Sequence, residues 1–241
     1  MPAFLADMFA ARGARFLLLH ALLIPALFAL AALAVQGSGL DRQIAAALFD
    51  PASGTFPARA STPLEIFGHR FAKSAILLVW IMLFAAALAT EFLRPQRGLR
   101  AVLWTTVAAM ALGPAIVIAL KSLNAHQCPW SLRAFGGYAE FATAWFVPAA
   151  EAGHCFPSGH AAAGFSLIAF SFAGMAIGDR RLAVAGLAVA LAAGMLFSAV
   201  RMAQGAHFLS HNLWSAGIDW SAAAWIFAPL LALQPRHSIR T

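Results

Sequence analysis

His154-Cys155-Phe156-Pro157-Ser158-Gly159-His160 is a tight polar turn set directly against an apolar run long enough to cross a membrane. Proline favours the first position of a helix, where the leading backbone N–H groups have no partner within the helix. Those donors, with the positive end of the helix dipole, suit a phosphate or another oxyanion. Ser158 adds a hydroxyl, Gly159 lets a ligand approach the backbone, and His160 exchanges a proton near neutral pH. The turn therefore predicts part of an anion site at one end of a membrane helix.

Of 241 residues, 62% are hydrophobic and 10% are charged, whereas a soluble domain carries about 25% charged residues. That deficit assigns the chain to the integral membrane proteins, with the lipid bilayer as its partner and no nucleic acid expected. Apolar runs near residues 16–35, 73–92, 101–120, 160–178, 182–200 and 212–233 each approach the ~20 residues that the hydrocarbon core requires. The first contains Pro25 and ends at Gln36-Gly37-Ser38-Gly39 without a small-residue cleavage site, so it reads as a retained helix. Residues 1–241 read as one all-α domain, a six-transmembrane helix bundle with both termini on the same side.

Arg12, Arg15, Arg94, Arg97, Arg100, Arg180, Arg181, Arg236 and Arg240 fall on that side, in short and almost purely basic loops, which predicts that it is the cytoplasm. Arg42, Arg59, Arg70, Lys73, Lys121, Arg133 and Arg201 fall on the opposite face. A polar linker, about 36–72, joins the first two spans. Asp41 is expected to cap a short helix there, with Ile44, Leu48 and Phe49 on one face; Leu64, Ile66, Phe67 and Phe71 form a second such segment. Both fit either a segment lying at the membrane interface or simple loop packing.

The unusual residues gather on the outer side. Lys121 ends the third span, Cys128-Pro129-Trp130 and Arg133 follow, and then comes the Pro157–His160 turn. Arg201 ends the fifth span, with His207 and His211 just beyond. Alone, Lys121 and Arg201 are ordinary snorkelling cations, and His207 and His211 are ordinary interfacial histidines. Their i,i+4 spacing suits a metal, but no third ligand stands at a convincing distance, so no metal and no cofactor are expected. Together they make an anion site with proton-transfer groups.

These residues resemble the type 2 phosphatidic acid phosphatase (PAP2) superfamily, whose motifs are Lys-x6-Arg-Pro, Pro-Ser-Gly-His and Ser-Arg-x5-His-x3-Asp. Lys121 and Pro129 match the first motif, with Cys128 in place of Arg; Pro157-Ser158-Gly159-His160 matches the second in full. Arg201 and His207 match the third, with Val200 in place of Ser and His211 in place of Asp. The resemblance implies a PAP2-type bundle in a bacterial inner membrane, with its catalytic loops facing the periplasm. It also implies that His207 attacks phosphorus to form a phosphohistidine, while His160 protonates the leaving group and then activates water. Lys121, Ser158, Gly159 and Arg201 would hold the non-bridging oxygens.

The departures leave two roles to fill. His211, Glu151 or Glu140 would have to orient His207 in place of the family's Asp, and Arg133 would have to replace its Arg. The implied substrate is a membrane lipid phosphate or diphosphate of the outer leaflet: lipid A, undecaprenyl diphosphate, phosphatidylglycerol phosphate or phosphatidic acid. A phosphotransferase on the same scaffold and a non-catalytic lipid-binding protein are the alternatives. The only two cysteines, Cys128 and Cys155, flank the first two motifs, and an oxidising exterior favours their pairing. Two free thiols, or a metal site with His126 and His154, are the other readings.

Overall fold

The computed structural model describes residue 8 and residues 11–66, 72–93 and 97–232. Phe67, Arg70, Phe71, Arg94, Arg236 and Arg240, used above, lie outside the described residues. Helix α1 spans Gly13–Gly37, α2 Leu40–Leu48, α3 Ala72–Leu93 and α4 Arg97–Lys121. Helix α5 covers Gly159–Ile177, α6 Arg180–Ala203 and α7 Leu209–Leu231. Among the described residues there is no β-strand, only isolated bridges such as Asn124 with Trp145. The chain is an all-α membrane protein.

Five helices, α1 and α3 to α6, are long and apolar enough to cross a bilayer. Their outward faces carry lipid-suited side chains, among them Leu22, Leu30, Leu78, Met82, Ile118, Val189 and Leu196, all exposed. Within α1, residues Leu17–Leu23 wind as a π-helix, immediately before Pro25, whose missing N–H and ring clash disturb the ladder one turn earlier. Helices α5 and α6 approach closely because they lack side chains where they cross. A Cβ on Gly164 would fall 2.7 Å from the Gly194 backbone nitrogen, and one on Gly186 would fall 2.5 Å from that of Ser171.

The sixth expected span differs from its prediction. Helix α7 starts at Leu209 instead of residue 212, and its 23 residues are long enough to cross, at about 1.5 Å each. Its composition, however, is not that of a lipid-exposed helix. Ser210, His211, Asn212, Ser215 and Asp219 are all buried. Helix α7 packs against α1, α4 and α5, so protein instead of lipid surrounds its polar positions. A helix with this many buried polar residues is stable there because other helices cover it.

The long linker is loop packing of a specific kind. Ala45 and Phe56 form a small core with Leu132, Phe135 and Phe208, and Leu48, Phe49 and Trp130 pack against it. Asp41 does not cap α2, whose N-cap is Gly39 in the left-handed region at φ 74. Its carboxylate accepts instead from the backbone N–H (2.9 Å) and the hydroxyl (2.5 Å) of Ser210 in the first turn of α7. A carboxylate there satisfies unpaired donors and complements the helix dipole.

Candidate active site

The Pro157–His160 turn is built one step later than proline placement suggests. Ser158 is the N-cap, its hydroxyl accepting from the Ala161 N–H at 3.4 Å, and the helix begins at Gly159. Pro157 thus precedes the cap, because serine is a favoured capping residue and proline is not. The Ser158 side chain is fully buried. Its N–H donates to the His211 carbonyl at 3.2 Å, and the Ser215 hydroxyl reaches the Ser158 and His211 carbonyls, 2.9 Å from each. The first turns of α5 and α7 are therefore tied together, although some fifty residues separate them in the chain.

Around this junction the remaining charged groups meet. Lys121, at the end of α4, brings its ammonium to 3.7 Å from where a Cβ on Gly159 would stand, so the missing side chain makes the room. Arg201 ends α6; its Nη1 donates to Gln204 Oε1 at 2.8 Å, while its buried Nε–H has no hydrogen-bond partner. His207, in the loop between α6 and α7, is buried. Burial first, then the charges of Lys121, His211, Arg201 and His160, push its pKa well below the ordinary imidazole value. Four of the residues singled out in the sequence, Lys121, His160, Arg201 and His211, thus lie close enough to act electrostatically on the fifth, His207. His207 is a neutral base among cations.

The loop carrying His207 is held from outside. Gly205 adopts φ +69, and a Cβ there would meet the Phe56 ring at 2.4 Å, so the linker's aromatic anchor sits directly on the backbone of the histidine loop. Trp130 donates its N–H to the Gly205 carbonyl at 2.9 Å. Cys128 and Cys155 form a disulfide, with Cα atoms 5.2 Å apart. The Cys155 sulfur lies 3.0 Å from the Ala206 carbonyl and 3.6 Å from His207 Nδ1. Nδ1 is thereby occupied by a weak acceptor, leaving Nε2 as the ring nitrogen available to a substrate.

Cys155, His207 and His211 bring ligand-type atoms within 4.8 Å of one another, but a disulfide sulfur is not the thiolate that binds zinc. The trio is therefore not a three-ligand metal set.

Other expected residues lie elsewhere. Arg133 is exposed and pairs with Glu140 at 3.1 Å, its Nε donating to the Tyr138 carbonyl. That ion pair engages both Arg133 and Glu140. Glu151 is exposed in a single helical turn, Ala149–Glu151. His211, at the position of the expected Asp, is buried with its Nδ1 unpartnered.

Three further residues have contacts that the sequence reading did not assign to them. Asn124 is buried and donates to the Leu120 carbonyl (2.7 Å) and the Phe156 carbonyl (2.9 Å). Its Oδ1 accepts from the backbone N–H of His126 at 3.1 Å and lies 3.0 Å from His126 Nδ1. His126 stacks on Phe156, ring centroids 4.5 Å apart, and burial lowers its pKa. Arg59, in the turn Pro57–Ala60, places its guanidinium 4.4 Å from the Trp130 ring centroid. No spacing rule marks any of the three, since each acts through a contact remote in the chain. On the other face of His211 a cavity of about 490 Å³ opens, lined by Leu33, Asp41, His126, Trp145 and Trp214.

This arrangement, a histidine nucleophile candidate enclosed by cations beside a helix N-terminus in a helical membrane bundle, defines a class of phosphoryl-transfer protein. The chain belongs to the PAP2 superfamily, whose family model matches residues 102–233. The match covers α5, α6 and α7 and most of α4, with every residue of the cation–histidine cluster. Membership brings phosphatase or phosphotransferase-type chemistry on phosphoric esters. No curated protein and no solved structure matches the chain.

Proposed function

We propose that this protein is a metal-independent phosphatase that removes phosphate from a membrane lipid at the outer leaflet of a bacterial inner membrane. The carrying observation is the convergence of Lys121, Arg201, His160 and the Gly159 turn on His207. Nε2 of His207 attacks phosphorus, and the bond to the leaving oxygen breaks as His160 donates its proton there. Water, deprotonated by His160, then cleaves the phosphohistidine and releases phosphate. Lys121, Arg201 and the Gly159 N–H stabilise the charge on the non-bridging oxygens. The Ser158 hydroxyl contributes through the cap that positions Gly159, and His211 acts as a wall of the nucleophile pocket. A site at the ends of α4, α5, α6 and α7 suits a substrate whose tails stay in the bilayer while its phosphate lies among the headgroups.

Purified protein in detergent, offered lipid A, undecaprenyl diphosphate, phosphatidylglycerol phosphate and phosphatidic acid, is expected to release phosphate from at least one of them. His207→Ala abolishes that release. Binding of these lipids without release would favour the non-catalytic reading. Transfer of label to a second lipid instead of water would make the protein a phosphotransferase.

A further inference from the structure

Arg59 lies in the linker, outside the family-matched residues 102–233, and yet it packs on the ring that Arg201 also faces. Its guanidinium is 4.4 Å from the Trp130 ring centroid, and that of Arg201 is 5.5 Å from the same centroid. The two cations can therefore be no further apart than the sum of those distances, and the charge of Arg59 acts on Arg201. This placement is built, not incidental. Phe56, three residues earlier, is buried against Gly205 of the His207 loop, the turn Pro57–Ala60 carries the chain round, and Trp130 is bonded to the Gly205 carbonyl.

Two guanidinium groups that share one aromatic ring are placed to share an anion as well. Arg201 has the buried, unpartnered Nε–H to receive one. Arg59 is exposed and therefore accessible to a ligand. Glu65 also acts on Arg201 and is the carboxylate that an incoming phosphoryl group has to outcompete.

We infer that Arg59 and Trp130 form a second phosphoryl subsite beside the His207 centre, and that the preferred substrate is a lipid diphosphate. This deepens the reading of the site given above and rests on it. The terminal phosphoryl occupies the cluster of Lys121, Gly159 and Arg201, and the phosphoryl bonded to the lipid occupies Arg59. When His207 attacks, the N–P bond forms at the terminal phosphorus and the P–O bond to the bridging oxygen breaks. The electron pair leaves with the lipid monophosphate, where Arg59 neutralises the charge that develops. Hydrolysis of the phosphohistidine then releases orthophosphate.

The test compares dioleoyl phosphatidic acid with dioleoylglycerol diphosphate, which share a tail, in the same mixed micelles. Wild-type protein is expected to favour the diphosphate. Arg59→Ala lowers kcat/KM for the diphosphate about tenfold, the low end for losing a charge-assisted contact at an exposed site. It changes the monophosphate less than about twofold, and Arg59→Lys restores part of the loss. Equal effects on both substrates, or none, overturn the subsite. If added phosphatidylglycerol raises monophosphate turnover only when Arg59 is present, the second phosphoryl belongs to a neighbouring lipid and the diphosphate assignment falls. Should wild type hydrolyse neither these two nor any of the lipids offered above, the phosphatase reading fails, and binding of inorganic pyrophosphate against orthophosphate decides the subsite. Tighter pyrophosphate binding that is lost in Arg59→Ala supports it, and equal binding overturns it.

Discussion

Opening the Cys128–Cys155 bond tests the architecture of the site most directly. The bridge closes a loop with a sequence separation of 27, and chain entropy gives it about 3.6 kcal/mol of stabilisation at 25 °C. For a protein of this size that corresponds to a fall of roughly 7–14 °C in Tm. The loop it closes lies between α4 and α5, so in the unfolded state it is a flexible segment on which the constraint acts fully. Activity should fall further than stability does. Cys128 precedes the Pro129–Trp130 corner that holds Gly205, and the Cys155 sulfur meets both the Ala206 carbonyl and His207 Nδ1. Loss of the bridge therefore loosens both sides of the His207 loop.

The experiment has two arms. Alkylation and intact-mass analysis count thiols before and after reduction. Thermal unfolding and lipid phosphate release are then measured for wild type, reduced wild type and Cys128→Ser/Cys155→Ser. Both cysteines alkylating without reductant, or a Tm and a rate that do not move when the bond is opened, would refute the reasoning.

Three further predictions concern the same region. Because burial and nearby cations hold His207 well below its ordinary 6.5, the nucleophile is neutral throughout the neutral range, and the acid limb of kcat/KM should lie below pH 6.5. The stability sign follows: the unfolded chain binds a proton below about 6.5 that the folded chain refuses, so stability is present above that pH and is lost as pH falls through it. Lys121→Met, which removes the leading charged contributor, should move the acid limb upward; an unmoved limb would contradict the electrostatic account.

Gly205→Ala puts a Cβ 2.4 Å from Phe56 at φ +69 and is expected to cost about 1–3 kcal/mol. Most of the activity should go with it, and a fully active variant with unchanged Tm would remove Phe56 as an anchor. Asn124→Ala leaves the Phe156 carbonyl without this donor, at a cost of about 1–3 kcal/mol. Chemical denaturation of the variant measures that cost, and a loss under about 0.5 kcal/mol would make the bond incidental.

Several features were legible in the amino acids themselves. Charge depletion and apolar runs near 20 residues place a chain in a bilayer because unpaired charge and backbone cannot be buried there cheaply. Lys121, the Pro157–His160 turn, Arg201 and His207 announced an anion site because cations and histidines at helix ends have few other uses in combination. The shift of α7 from an apolar span to a polar helix covered by others was not legible, since hydropathy records composition and not which neighbour covers a side chain. Asp41 illustrates the same limit. Locally it looks like the cap of its own helix, yet its carboxylate goes to Ser210, 169 residues away.

Sequence alone, then, determined the medium, most of the helices and the family to which the chain belongs, because those depend on residue type and short spacing. Only the tertiary structure decided which groups complete the site. Arg133 pairs with Glu140 in spite of its convenient position, while Arg59 and the Cys155 sulfur reach the histidine loop, the first through Trp130 and Phe56 and the second through the disulfide. Proximity across the fold is set by packing among remote segments, and no local pattern encodes it.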